Sequence, residues 1–330
     1  MTISVIIPVH KGGEAFQCCL NSLKQFALPE VEIIVVADGD NESGDMAESW
    51  GAKVVRNSPA SGPAKARNLG AKIATGDILF FIDADVTINE NTLPKVEQIF
   101  SQEPDLVAAI GSYDDEPGAT NFLSQYKNLF HHYTHQTASE EASTFWGACG
   151  AIRRKIFLEI GGFDESYRLP CVEDIELGYR LKTAGYQIKL CKTLQVKHLK
   201  RWEVVSLLRA DVFYRAIPWT TLILRYSQLK NDLNLQWSSR ISVVLVYGLL
   251  VSIIATFWWP AMWALVLGIS LALFAINFSV YRFFYYRKGI IFTLRMIPWH
   301  WLYYFYSGLA WVIGMIRYYL FSPIIKGNSA

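Results

Sequence analysis

Charge is scarce in this 330-residue chain: Asp, Glu, Lys and Arg make up 18%, against about a quarter in ordinary soluble domains. The shortage is concentrated after Arg240, which excludes a uniformly solvated globule and marks the C-terminal part for an apolar setting. Net charge is scarce as well. At +2 it provides none of the basic excess that a nucleic-acid groove needs. Cysteine is confined to Cys18, Cys19, Cys149, Cys171 and Cys191. That odd set, without paired metal spacing, argues against a disulfide framework and suits free thiols in a reducing compartment. The opening MTISVIIPVHKGG has no basic segment ahead of an apolar core and no small-residue cleavage site, so it is expected to begin a fold and not to act as a signal peptide.

What is abundant is apolar sequence, 52% of the chain, arranged first as short runs and later as long ones. Ser4 to Val9, Val31 to Ala37, Lys53 to Arg56 and Asp77 to Asp85 read as strands, the continuous runs suiting burial on both faces. Helix patterns over Glu14 to Gln25, with Phe16, Cys19, Leu20 and Leu23 on one stripe, and over Ala64 to Ala74 lie between them. This alternation predicts βαβ crossovers and an α/β fold with a mostly parallel sheet. Open sheets of that kind bind ligands beyond the carboxyl ends of their strands. Val9, Asp38 and the pair Asp83/Asp85 all fall at such ends. Alternation along a strand puts Asp83 and Asp85 on one side, with Ala84 turned away. Paired carboxylates suit a hard divalent cation that also binds phosphate; as residue types alone they serve equally well in a turn.

The motifs Ile7-Pro8-Val9-His10, the strand EIIVVAD ending at Asp38, Ala66-Arg67-Asn68-Leu69-Gly70, Asp83-Ala84-Asp85, Gly161-Gly162-Phe163-Asp164 and Glu173-Asp174 occur in order across residues 1–203. In that order and spacing the segment resembles an inverting family 2 glycosyltransferase of the GT-A fold, which takes a sugar from a nucleotide diphosphate donor. The resemblance implies that Pro8, Val9 and Asp38 hold the nucleobase, that Arg67, Asp83 and Ala84 lie at the nucleotide, and that Asp85 is the principal ligand of Mg²⁺ or Mn²⁺. A UDP-sugar is the expected donor class; Ala37 departs from the family pattern, which commonly has a further aspartate, and this leaves the nucleobase more open than the fold.

Glycosyl transfer needs a base for the acceptor, a stabiliser for the departing diphosphate and exclusion of water. Glu173 and Asp174 open a helical segment, and about 100° separates neighbours on a helix, so the two cannot face a crevice equally. Acidic residues also favour first helical turns for their own sake. The resemblance selects Asp174 as the base, with Glu173, Trp146, Gly147 and Gly150 bordering the sugar and acceptor. Glycines there allow close backbone approach, although a bulged strand and a core tryptophan are the structural alternatives. His198 is expected near the metal or diphosphate. Arg201-Trp202 is similar to the pair that closes the donor site of processive polysaccharide synthases, but His198 stands where those enzymes have glutamine, which counts against processivity. His131 and His135, one helical turn apart, are expected on a surface helix.

Residues 204–240 are amphipathic, with Arg209, Asp211 and Arg215 among Val204, Leu207, Leu208 and Val212, and are expected at a membrane interface. Residues 241–330 carry the long apolar runs: a tight hairpin of two spans over 242–281 and a further span over 299–321. Arg282, Arg287 and Lys288 after the second span are expected on the cytoplasmic side. The expectation is therefore a multi-pass inner- or plasma-membrane enzyme with a cytoplasmic catalytic domain. A membrane-associated, lipid-linked acceptor explains why a soluble donor is served by an anchored enzyme. A processive synthase and a non-catalytic scaffold that retained the fold are the alternatives.

Overall fold

The computed structural model describes residues 1–227, 229 and 231–321. Positions 228, 230 and 322–330 of the expected interfacial and membrane segments lie outside the described residues. The chain divides into two compact units between Glu203 and Val204, and each is described by itself.

The first unit is a mixed α/β sheet. Its elements are β1 (Ile3–Val9), α1 (Gly13–Phe26), β2 (Glu32–Asp38), α2 (Asn41–Trp50), β3 (Lys53–Asn57), α3 (Pro63–Ile73), β4 (Ile78–Ile82), β5 (Val86–Thr87), α4 (Thr92–Gln102), β6 (Ala108–Tyr113), α5 (Phe122–Thr137), β7 (Cys149–Arg153), α6 (Arg154–Glu159), α7 (Glu173–Thr183) and β8 (Ile188–His198). Eight strands run in the order β3-β2-β1-β4-β7-β6-β8-β5. The β3-β2-β1-β4 half is parallel throughout, as the alternation of strands and helices predicts. The other half is not: β7 runs antiparallel to both β4 and β6, and β5 antiparallel to β8.

Local sequence explains the ends of these elements. The α1 stripe of Phe16, Cys19, Leu20 and Leu23 is fully buried. Asp40 caps α2 by accepting from the Ser43 backbone N–H, and Gly51, at φ 101°, ends it in the left-handed region that glycine enters without penalty. α3 begins with Pro63, a residue pre-set for the first helical turn, where its missing N–H is not needed. β4 is buried at every position. Phe81 sits within 5.3 Å of the Phe157 and Phe163 rings and 6.2 Å of Phe145.

Two expectations are corrected here. The strand ends at Ile82, and Asp83 to Asp85 forms a turn in which the Asp83 carbonyl accepts from Val86 N–H at 3.1 Å. Strand alternation therefore does not orient the two aspartates. The histidines of α5 are not on a surface helix: His132 and His135 are buried, bonded through Nδ1 to the carbonyls of Tyr113 (2.7 Å) and Gly111 (3.0 Å). Their ring nitrogens satisfy carbonyls of β6, so helical spacing alone misplaced them.

The second unit is helical: α8 (Val204–Arg209), a π-helical stretch (Ala210–Ala216), α9 (Ile217–Tyr226), a short 3-10 turn (Leu233–Leu235), α10 (Trp237–Ala255), α11 (Met262–Ile276) and α12 (Phe278–Phe321), the last broken at Gly289. α9 buries Trp219, Leu222 and Ile223 and packs on α12, while Phe213 and Val205 stay exposed. Among the described helices, α10 alone is long and apolar enough to cross a membrane, with mean hydropathy 1.9. Over the expected two-span hairpin at 242–281, α10 is followed by α11 and the start of α12, which are apolar and long enough to cross only as a bent pair. α11 stops at Ile276 after 15 residues, about 22 Å at the usual helical rise and short of a hydrocarbon core of about 30 Å. The chain then bends by 65° into α12. Asn277 sits at the bend, bonded to Ser242 Oγ (2.9 Å), the Leu273 carbonyl (2.9 Å) and Tyr304 Oη (2.7 Å). A buried amide with three partners fixes the break. The expected separate span over 299–321 is the distal part of α12.

Replacing Phe81 by Ala should destabilise the first unit by about 3–5 kcal/mol, the usual cost of emptying a buried aromatic site, read as a lowered melting temperature. A second prediction concerns Asp114, at the end of β6. Burial pushes its carboxyl up to about 6, above the unfolded value of about 3.9. Its folded environment therefore favours the neutral acid, and that stability is present below about pH 4 and lost as pH rises through about 6. Asp114→Asn should remove this loss, so melting temperatures of variant and wild type should diverge across that window in favour of the variant.

Candidate active site

The carboxyl ends of β1, β2 and β4 open on a cleft of about 510 Å³. Pro8, Val9, Asp38, Arg67, Asp83, Ala84 and Asp85 line it, which brings seven of the sequence-predicted residues to one place. At one end Asp38 accepts from the backbone N–H groups of Ser61 (2.9 Å) and Gly62 (2.8 Å) and from the Asn57 amide. Its carboxylate thus organises the loop that leads into α3. Gly62, at φ 97°, lies so close to the Arg168 carbonyl that no side chain fits.

Arg67 is 5% exposed. Its Nη2 bonds Asp83 at 2.7 Å and its Nη1 bonds Glu173 at 2.8 Å. Burial opposes the charge, but the carboxylates of Asp83, Glu173 and Asp174 outweigh it and hold the guanidinium protonated. The guanidinium also lies over the Phe163 ring, 5.4 Å from its centre. Next to it, Asn68 takes both backbone polar groups of Phe163, at 2.8 and 2.9 Å. The α3 motif and the Gly161–Asp164 motif are therefore one structural joint.

Glu173 and Asp174 diverge as helix geometry requires. Glu173 is buried against Arg67 and accepts from Cys171 N–H. Asp174 accepts from Gly147 N–H at 3.0 Å, and a Cβ on Gly147 would stand 3.0 Å from the Arg67 guanidinium carbon. Gly147 thus lets the Asp174 segment close on Arg67. Gly150 does not open on the cleft: it is buried in β7 under Phe145 and the Trp146 carbonyl. Trp146 packs among Tyr113, His131 and His135, with ring centres 4.8 to 5.1 Å away.

Asp85 faces His198 Nε2 at 3.5 Å. The two-residue strand β5 makes this meeting, because Val86 pairs with His198 and the Asp85 carbonyl accepts from Leu199 N–H at 2.8 Å. Burial works against the Asp85 charge, yet the His198 ring and the Lys200 ammonium outweigh it and keep the carboxyl below its ordinary range. Asp85 lines the cleft and the buried His198 ring stands behind it, so the pair offers one oxygen and one nitrogen ligand. That set fits a cation whose remaining positions are filled by phosphate and water. No group of three or more such side chains converges among the described residues, and Asp83 is already engaged by Arg67.

Arg201 does not reach the cleft as a phosphate contact; it pairs with Glu203 at 2.8 Å, both largely exposed. Trp202 is buried and carries the Lys200 ammonium 4.6 Å from its ring centre. Lys200, Lys11, His10 and Arg168 line the cleft and were not singled out from sequence. Position supplied the only signal: Lys200 follows His198 by two residues, and Lys11 follows the β1 terminus.

A parallel half-sheet presents carboxylates and cations around one cleft beyond the ends of its strands, the place where open α/β sheets bind ligands. Residues 4–161 match the Glycosyl transferase family 2 profile, and residues 127–203 match the N-terminal domain of galactosyltransferase. An uncharacterized glycosyltransferase of Haemophilus influenzae is 27% identical over 217 residues, 61% of this chain and 70% of that protein. The mannosyltransferase PcManGT of Pyrobaculum calidifontis, solved with GDP-Man and Mn²⁺, superposes with a TM-score of 0.52 at 14% identity, covering 96% of this chain and 87% of that one. Residues 1–349 of TarS from S. aureus, solved with UDP-GlcNAc, give 0.51 at 20% identity, covering 68% and 66%. The first unit has the fold of family 2 glycosyltransferases, and the chain is a glycosyltransferase.

Arg67→Met should leave Glu173 charged and buried without its partner, at a cost of about 3–5 kcal/mol. Arg67→Lys should recover only part of it, because one ammonium cannot reproduce the two-pronged fork. Melting temperatures should rank wild type, Lys, Met.

Proposed function

We propose that the protein is a metal-dependent, inverting glycosyltransferase that moves a sugar from a nucleotide diphosphate donor, a UDP-sugar, to a membrane-associated, lipid-linked acceptor at the cytoplasmic face. The observation that carries this reading is the one cleft lined by both Asp38 and Asp85, with His198 3.5 Å behind Asp85. Pro8, Val9 and the loop held by Asp38 form the nucleobase end. Asp85 and His198 would hold Mg²⁺ or Mn²⁺, and the imidazole tilts the preference toward Mn²⁺. When bound, the ion neutralises charge that grows on the departing diphosphate.

The chain's own residues do the rest. Lys11, Arg168 and Lys200 attract the phosphates into the cleft. Arg67 keeps Asp83 and Glu173 fixed at its floor. Asp174, anchored by Gly147 N–H, takes the acceptor proton as the acceptor oxygen attacks the sugar carbon and the bond to the diphosphate breaks. Attack from the side opposite the leaving group inverts that carbon. The apolar helix α10 would anchor the chain, and Arg282, Arg287 and Lys288 would then face the cytoplasm; both favour an acceptor that stays with the membrane.

Donor turnover measured with a membrane lipid fraction as acceptor tests the scheme. Asp85→Ala should abolish it. Asp174→Asn should lower kcat by about 10²–10⁴-fold, the usual contribution of a positioned base. Substantial activity in Asp174→Asn would instead mark an acceptor phosphate, already anionic. Glycosylation of soluble acceptors alone, with every lipid fraction ignored, would overturn the acceptor assignment.

A further inference from the structure

α5 carries a residue whose placement the transfer chemistry above does not explain. Asn128 is 1% exposed in the middle of that helix, where asparagine is a poor helix former and a buried amide is unfavourable unless bonded. Its Oδ1 lies 2.8 Å from His198 Nδ1, while its Nδ2 has no hydrogen-bond partner. Only one half of the amide is used, and it is used on the His198 ring. Tyr113 stacks on the same ring, with centres 4.2 Å apart and planes 4° from parallel. The stack fixes the plane of the imidazole, and the amide oxygen fixes its rotation and its tautomer.

We propose that Asn128 is a positioning residue for the cation site: by accepting the Nδ1 proton of His198 it leaves the Nε2 lone pair facing Asp85. An amide oxygen cannot donate, so the proton of a neutral ring bonded to it must sit on Nδ1. Nε2, 3.5 Å from Asp85 Oδ2, is then an acceptor set beside a carboxylate. With the ring neutral, Asp85 and Nε2 are two electron-pair donors facing each other; a second ring proton, which gives the charged ring that favours the Asp85 carboxylate, or a cation joins them. Outer partners of this kind orient the ligand ring and raise its basicity. The inference rests on the reading of Asp85 and His198 as cation ligands.

The experiment uses the full chain in detergent, as wild type, Asn128→Leu, Asn128→Asp and His198→Ala. Mn²⁺ is titrated with UDP, and separately with GDP, by loss of the free-ion electron paramagnetic resonance signal. Nitrogen-14 modulation of the bound ion reports imidazole ligation. Asn128→Leu should weaken Mn²⁺ binding by about 10–100-fold and reduce the nitrogen modulation, with nucleotide affinity in chelator unchanged. Asn128→Asp, which still accepts, should keep both. Wild-type affinity and modulation in Asn128→Leu overturn the proposal, as does an Asn128→Asp that fails like Leu, since the ring would then need a donor. Should Asn128→Leu not fold, nitrogen-15 shifts of the neutral His198 ring in metal-free wild type decide: a proton on Nδ1 supports the proposal and a proton on Nε2 overturns it. Unchanged Mn²⁺ binding in His198→Ala identifies failure of the cation reading itself, independently of Asn128.

Discussion

The buried guanidinium of Arg67 is the constraint on which the site depends. It joins Asp83, from the end of β4, to Glu173, from the start of α7, elements far apart in sequence. A charge at 5% exposure is tolerable only with its partners in place. The same pairing that makes Arg67 acceptable therefore also fixes the floor of the cleft. Asp174 follows from it, because Gly147 brings that carboxylate's N–H anchor against Arg67. Positioning of Asp174 and positioning of the cleft floor are one mechanical problem solved by one side chain.

The short motifs take on physical meaning around this point. In Ala66-Arg67-Asn68-Leu69-Gly70, Arg67 clamps carboxylates, Asn68 pins the Phe163 backbone, and Gly70 lets α3 settle on Ile6 and Val36 of the sheet. In Gly161-Gly162-Phe163-Asp164, both glycines have positive φ, and Arg180 of α7 donates to the carbonyls of Ile160 and Gly162. Asn68, Gly70, Gly161, Gly162 and Arg180 thus serve architecture. Their chemistry is indirect: they make the cleft rigid enough for the groups that touch substrate.

Legibility varied with the kind of evidence each residue carried. The α1 stripe and the parallel strands were readable because periodicity reports burial directly. Gly150 and Trp146 were harder, since small and aromatic residues look alike in a pocket and in a core; the structure buries Gly150 and packs Trp146 among Tyr113, His131 and His135. Arg201 was singled out for its likeness to a pair in other enzymes, whereas the cation lining the cleft is its neighbour Lys200. The apolar run after Arg240 was plain, but composition could not locate the break at Asn277, which depends on partners in α10 and α12.

For the aspartates of Asp83-Ala84-Asp85, sequence by itself determined that two carboxylates follow a buried strand, because local apolar runs and strand ends are encoded locally. Their separate fates were decided by tertiary structure. A turn after Ile82 sends Asp83 to Arg67, while the two-residue strand β5 zips onto β8 and carries Asp85 to His198. Those partners lie 16 and 113 residues away in the chain. No local pattern encodes a pairing of that kind, and the second exists only once β5 has paired with β8.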